Sequence, residues 1–130
     1  MTTEANNLKR IMLALGSKKN VRLFRNNVGM AYIGRVIVQT PTRITLQDYR
    51  PLHAGLVKGS SDLIGWKSIE ITPDMVGKRV AVFTAIEVKA NHSSRRTTEQ
   101  MQFIKVVRDD GGHAGIATSP EEAQQIIEPH

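Results

Sequence analysis

The sequence contains no cysteine, which rules out disulfides, thiolate metal sites and cysteine nucleophiles together. Any metal ion must therefore be held through oxygen or histidine. Aromatic residues make up only 5%, too few for the base-stacking platform of single-strand binders. No apolar run approaches the ~20 residues of a membrane-spanning helix. The segment Met1 to Asn7 has neither the basic start nor the apolar stretch of a secretory signal, so a cytoplasmic protein is expected. A glycine-rich phosphate loop, a nucleophile elbow and internal repeats are also missing. His53, His92, His113 and His130 show no metal-ligand spacing and read as incidental, His92 the least so because it follows a strand end.

What is present is ordinary globular material: 130 residues, 40% hydrophobic and 23% charged. That length suits a single domain spanning residues 1–130. The formal net charge is +6, and such an excess favours a polyanionic partner, because phosphate contacts release counterions and give affinity without reading sequence.

The most informative stretch is Val80 to Lys89, expected as a central strand. One face reads Val80, Val82, Thr84, Ile86, Val88 and the other Ala81, Phe83, Ala85, so both look buried. Only at the end does the second face turn to Glu87 and Lys89, which share a side because they are two apart. Asp62 lies upstream on another short strand, Ser61 to Trp66. Taken alone, Glu-x-Lys is more often a solvated pair than a reactive one. Two acids and a lysine at the ends of apolar segments point to a divalent-metal site that cuts phosphodiesters.

Around this stretch, a helix is expected from Glu4 to Leu15, capped by Thr2 or Thr3, with Leu8, Ile11, Met12 and Leu15 as its apolar stripe. Glu4 falls on the stripe and is either a first-turn acid favoured by the helix dipole or a residue near the metal. Strands are expected at 21–27, leading into a loop at Gly29, and at 35–39 and 43–47, with a hairpin insertion at 71–78. Arg22, Arg25, Arg35 and Arg43 either line a basic surface or decorate a solvated sheet. The polar segment 90–97, carrying Arg95 and Arg96, reads as a mobile loop. A helix follows from Thr97 or Thr98 to about Arg108, with Phe103, Ile104 and Val107 buried and Gln100 on the same face, where a polar side chain needs a partner. A strand at 113–118 and a helix opened by Ser119-Pro120-Glu121-Glu122, read as a capping box, complete the chain. Strand, helix, strand implies a parallel crossover and a mixed sheet flanked by helices.

Laid out in this way, the chain resembles a stand-alone VRR-NUC domain, the virus-type replication-repair nuclease branch of the PD-(D/E)XK superfamily. The resemblance rests on Glu4, Phe24-Arg25-Asn26-Asn27-Val28-Gly29, Gly59-Ser60-Ser61-Asp62-Leu63-Ile64-Gly65, Glu87-Val88-Lys89, Thr98-Glu99-Gln100 with Phe103, and Gly111-Gly112-His113-Ala114-Gly115. The superfamily's Pro-Asp is here Ser61-Asp62. The resemblance implies a restriction-endonuclease-like α/β fold with a mixed central sheet. It implies that Asp62, Glu87 and the Val88 carbonyl bind Mg2+ or Mn2+, that Lys89 orients the attacking water, and that Gln100 and Glu4 are further catalytic residues. Arg25, Arg95 and Arg96 are the expected DNA contacts. A phage or prophage homodimer cutting four-way junctions is implied, with a flap or nick nuclease of the same fold, or a non-catalytic DNA-binding protein, as alternatives.

Overall fold

The computed structural model describes residues 3–128; Thr2 and His130 lie outside them. The elements in order are α1 (Glu4–Gly16), β1 (Val21–Arg25), β2 (Gly29–Thr40), β3 (Arg43–Ala54), β4 (Leu63–Lys67), β5 (Thr84–Val88), α2 (Thr98–Asp109), β6 (His113–Ala117) and α3 (Pro120–Ile127). A single 3-10 turn at Pro73–Met75 stands where a hairpin insertion is expected. The strands form three two-stranded sheets, β1 with β4, β2 with β3 and β5 with β6, in place of the expected single mixed sheet. The chain divides into two compact units, one up to Arg22 and from Trp66 onward, the other Leu23–Gly65.

In the first unit, α1 starts where Thr3 Oγ1 accepts from the Asn6 amide at 3.1 Å. This leaves Glu4 exposed in the first turn, where the helix dipole favours an acid. Leu8 and Met12 are half-buried, while Ile11 and Leu15 remain exposed, so the buried stripe is narrower than its spacing promises.

β5 and β6 run parallel, Thr84 opposite His113 through Val88 opposite Ala117, with α2 as the crossover. The ladder extends one bond past each end of β5, His113 N to Phe83 O at 2.9 Å and Lys89 N to Ala117 O at 3.0 Å. β5 is half the expected length and is not buried on both faces. Phe83, Ala85, Glu87 and Lys89 are half-buried on one side, while Val80, Val82, Ile86 and Val88 are exposed. An unbroken apolar run cannot reveal how many strands or layers will cover it.

Ile104 and Val107 of α2 pack against Ala114, with Trp66, Phe83, Ala85 and Ile116 around them. Phe103 stays exposed, against expectation. Trp66 stacks obliquely on Phe83, ring centroids 4.6 Å apart. Its Nε1 donates to Asp110 Oδ2 at 2.8 Å and Ser68 Oγ donates to Asp110 O at 2.8 Å, tying down the end of α2. Gly112 is required here, since a Cβ would sit 2.8 Å from Phe83 O and 2.7 Å from Val107 Cγ1.

In the second unit, β2 and β3 form an antiparallel ribbon joined through Pro41 and Thr42, with irregularities between Ile33 and Arg35 and between Val36 and Val38. Both strands exceed the expected spans, and Gly29 opens β2 where a loop is expected. Beside the ribbon, Gly55 adopts φ +78 with Asn27 O only 2.7 Å from where a Cβ would stand, so no other residue fits.

Candidate active site

Glu87 and Lys89 leave β5 on the same side, as their spacing requires, and α2 receives them. Thr97 caps α2 by accepting the Gln100 amide at 3.1 Å, and Gln100 Oε1 returns the bond by accepting the Thr97 amide at 3.1 Å. This capping box fixes the Gln100 side chain. Its Oε1 also accepts from Lys89 Nζ at 3.0 Å, and its Nε2 donates to Glu87 Oε1 at 2.8 Å. Lys89 Nζ lies 3.4 Å from Glu87 Oε1. The partner that a polar Gln100 needs on a core-facing helix side is thus the strand end itself.

The lysine is well covered, its side chain 14% exposed, while Glu87 is 35% exposed. Glu87 Oε1 is committed to Gln100 and Lys89; among the described residues Oε2 accepts no hydrogen bond. An open cavity of about 420 Å3 lies over this group, lined by Ala85, Ile86, Glu87, Glu99, Gln100 and Phe103. The arrangement offers a cation held at a set position beside a partly exposed carboxylate.

Asp62 belongs to the second unit and sits just ahead of β4, not within a strand as expected. Its carbonyl accepts from the Asn26 amide at 2.8 Å. Among the described residues, Asn26 is the one buried polar residue. Its Nδ2 donates to Ser60 Oγ at 2.8 Å and Ser61 O at 2.9 Å, and its Oδ1 accepts from the Leu56 amide at 2.9 Å. One asparagine therefore pins the segment that presents Asp62. The side chain of Asp62 is exposed. Asn26 is absent from the residues expected at the site, although it lies in the Phe24 to Gly29 stretch on which the resemblance rests.

The loop after Lys89 is organised by Asn91, whose Oδ1 accepts from the Ser93 amide at 3.0 Å and Ser93 Oγ at 2.7 Å. His92 lies with Nε2 3.1 Å from Glu122 Oε2. Glu122 does not close the capping box expected at Ser119. Its Oε1 accepts the amide and the hydroxyl of Thr118 instead, while Ser119 Oγ accepts the Glu122 amide at 3.2 Å. The Thr118 hydroxyl, then its amide, hold the Glu122 carboxyl below the ordinary range, and His92 acts in the same direction. Arg95 and Arg96 are exposed on this loop, and Arg25 is exposed at the end of β1. Val88 directs its side chain to solvent.

A family model for the VRR-NUC domain matches residues 4–121. The chain belongs to the VRR-NUC family. Membership makes the protein a nuclease of the virus-type replication-repair group and implies a PD-(D/E)XK-like fold. The match runs from Glu4 past Glu87, Lys89 and Gln100 to the start of α3, across both units of the VRR-NUC domain. Neither a curated protein nor a solved structure matches the chain. Among the described residues, no three of His, Cys, Asp and Glu gather into a metal-holding group, and no helix is long and apolar enough to cross a membrane.

Proposed function

We propose that this VRR-NUC domain is a divalent-metal-dependent endonuclease that hydrolyses phosphodiesters in branched DNA, with four-way junctions as its preferred substrate and a homodimer as its working form. The observation that carries the reading is the Gln100 bridge, which holds Lys89 and Glu87 side by side at the end of β5. A lysine tucked against a glutamate and locked through a helix cap is a costly way to decorate a surface, and it suits a site where negative charge develops.

The residues that would hold a metal are Glu87, Asp62 and, through its carbonyl, Val88, which all offer oxygen and so suit magnesium or manganese. Bound there, such an ion supplies Lewis-acid polarisation of the phosphate. Lys89 orients the attacking water and offsets the charge that grows on the phosphoryl oxygens. As the water oxygen bonds to phosphorus, the bond to the leaving sugar oxygen breaks. Gln100 keeps the Lys89 ammonium in place through Oε1. Arg25, Arg95 and Arg96 meet the DNA backbone, and the net charge of +6 draws it in. Glu4, exposed in the first turn of α1, joins as a further acid.

Incubation with end-labelled four-way junction, flap and linear duplex, with magnesium or manganese, tests the reading. Paired symmetric nicks in the junction are expected. Cutting of flaps with junctions left intact contradicts the junction assignment, and no cutting of any substrate contradicts the whole reading.

A further inference from the structure

The loop from Ala90 to Arg96 joins the end of β5 to the cap of α2, is polar throughout after Ala90, and has none of its residues buried. Apolar packing therefore gives it no order, which has to come from hydrogen bonds. Its first half closes on itself: Asn91 Oδ1 accepts from the Ser93 amide and hydroxyl, and the Asn91 amide donates to Ser94 Oγ at 3.2 Å. His92, inside that turn, reaches out of it to the segment that leads from β6 into α3. That segment lies close because the ladder continues past β5, with Lys89 N donating to Ala117 O at 3.0 Å, so the loop starts beside the residue before Thr118.

The receptor for His92 is fixed in advance. Glu122 Oε1 accepts the Thr118 amide at 2.7 Å and the Thr118 hydroxyl, and Ser119 Oγ accepts the Glu122 amide at 3.2 Å. Since the Thr118 hydroxyl proton goes to Glu122, its oxygen is left to accept from His92 Nε2 at 3.2 Å, while Glu122 Oε2 lies 3.1 Å from the same nitrogen. Nε2 is thus the ring nitrogen that carries a proton, and its one N–H is shared between two oxygens already in place. An ordinary exposed pair is weak because two mobile side chains must be held together; here one of them is held beforehand. Arg95 and Arg96 follow in the same loop, just ahead of the Thr97 cap. An arginine on an ordered loop gives up less freedom on meeting a phosphate than one on a loose loop.

We infer that His92 is a positioning residue for DNA binding: by reaching Glu122 and Thr118 it clasps the loop after Lys89 onto the start of α3 and holds Arg95 and Arg96 where they meet the phosphate backbone. The inference rests on the assignment of these two arginines to DNA in the proposed function and names the residue that places them. Glu122 lies just past the segment matched by the family model, so the family match does not supply the clasp.

Two measurements near neutral pH test it, the first without DNA or metal. Backbone nitrogen relaxation is expected to show the His92–Arg96 stretch ordered in wild type, with order parameters of about 0.85, and looser in His92→Ala, towards about 0.6. The His92 side chain is 74% exposed, so this variant folds. Binding to labelled branched DNA without metal is expected to weaken roughly fivefold in His92→Ala. In an Arg95→Ala/Arg96→Ala background the same change is expected to cost less than about twofold, because the side chains it places are gone. A loop as ordered in His92→Ala as in wild type, or a loosened loop with unchanged affinity, would overturn the inference. Losses that add in the combined variant would overturn it too, by making His92 a DNA contact itself. If Arg95→Ala/Arg96→Ala binds like wild type, the DNA reading of this loop fails and takes the inference with it, and the relaxation data, taken without DNA, show whether the clasp has failed as well.

Discussion

Gln100 Nε2 donates to Glu87 Oε1 at 2.8 Å, joining the first turn of α2 to the end of β5. The same side chain caps its own helix, so its structural and chemical roles need separate variants. Gln100→Ala is expected to lower stability by about 1 kcal/mol through the lost cap and cleavage by roughly 100-fold. Gln100→Glu keeps an oxygen for the Thr97 amide but puts a carboxylate against Glu87, so stability recovers more than activity. Thermal unfolding beside single-turnover cleavage separates the two; equal losses in both variants would reduce Gln100 to a cap.

Asn26→Ala leaves the Leu56 amide and the Ser61 carbonyl without their partner. Partly buried groups left unsatisfied cost about 1–2 kcal/mol in total. Denaturant unfolding should show that loss, and cleavage should fall with it because the segment holding Asp62 is released. A change under about 0.5 kcal/mol, the level of an ordinary surface substitution, would contradict the anchoring role.

Glu122 is held below its ordinary value of 4.5 by Thr118, then by His92. A carboxylate lowered on folding gives stability that is fully present above its unfolded value and lost as pH falls through the folded one. Unfolding measured from pH 7 to pH 3 should therefore show Glu122→Gln less stable than wild type near neutrality, with the two converging as the acid range is entered. A constant gap across that range would show that ionisation of Glu122 contributes nothing.

Arg95→Ala and Arg96→Ala are expected to weaken DNA binding alike on any sequence and to reduce the slope of log affinity against log salt by about one each. Binding isotherms from low to moderate salt check this; an unchanged slope removes both arginines from the interface.

The capped helices could be read from Thr3, Thr97 and Ser119 because a side-chain cap is a local event within one turn. The shared face of Glu87 and Lys89 followed from strand geometry alone. What could not be read depended on distant partners. Val80 to Val88 reads as a fully buried strand because its residues are apolar, yet whether Val82 and Ile86 are covered depends on strands and layers that the local run does not encode. The reach of Glu122 to Thr118 rather than to the Ser119 amide depends on how β6 enters α3. The anchoring role of Asn26 is not legible locally because its partners, Leu56 to Asp62, are thirty or more residues away.

On the function proposed above, Asp62, Glu87 and Lys89 carry metal-dependent phosphodiester hydrolysis. The most direct test is cleavage of labelled branched DNA by wild type and by Asp62→Ala, Glu87→Ala and Lys89→Ala, each shown to be folded by circular dichroism, with magnesium or manganese and with chelator. Wild-type cutting that chelator abolishes, together with a drop of at least about 1,000-fold in every variant, is predicted. Cutting by Glu87→Ala at the wild-type rate, or wild-type cutting undiminished by chelator, would contradict the account.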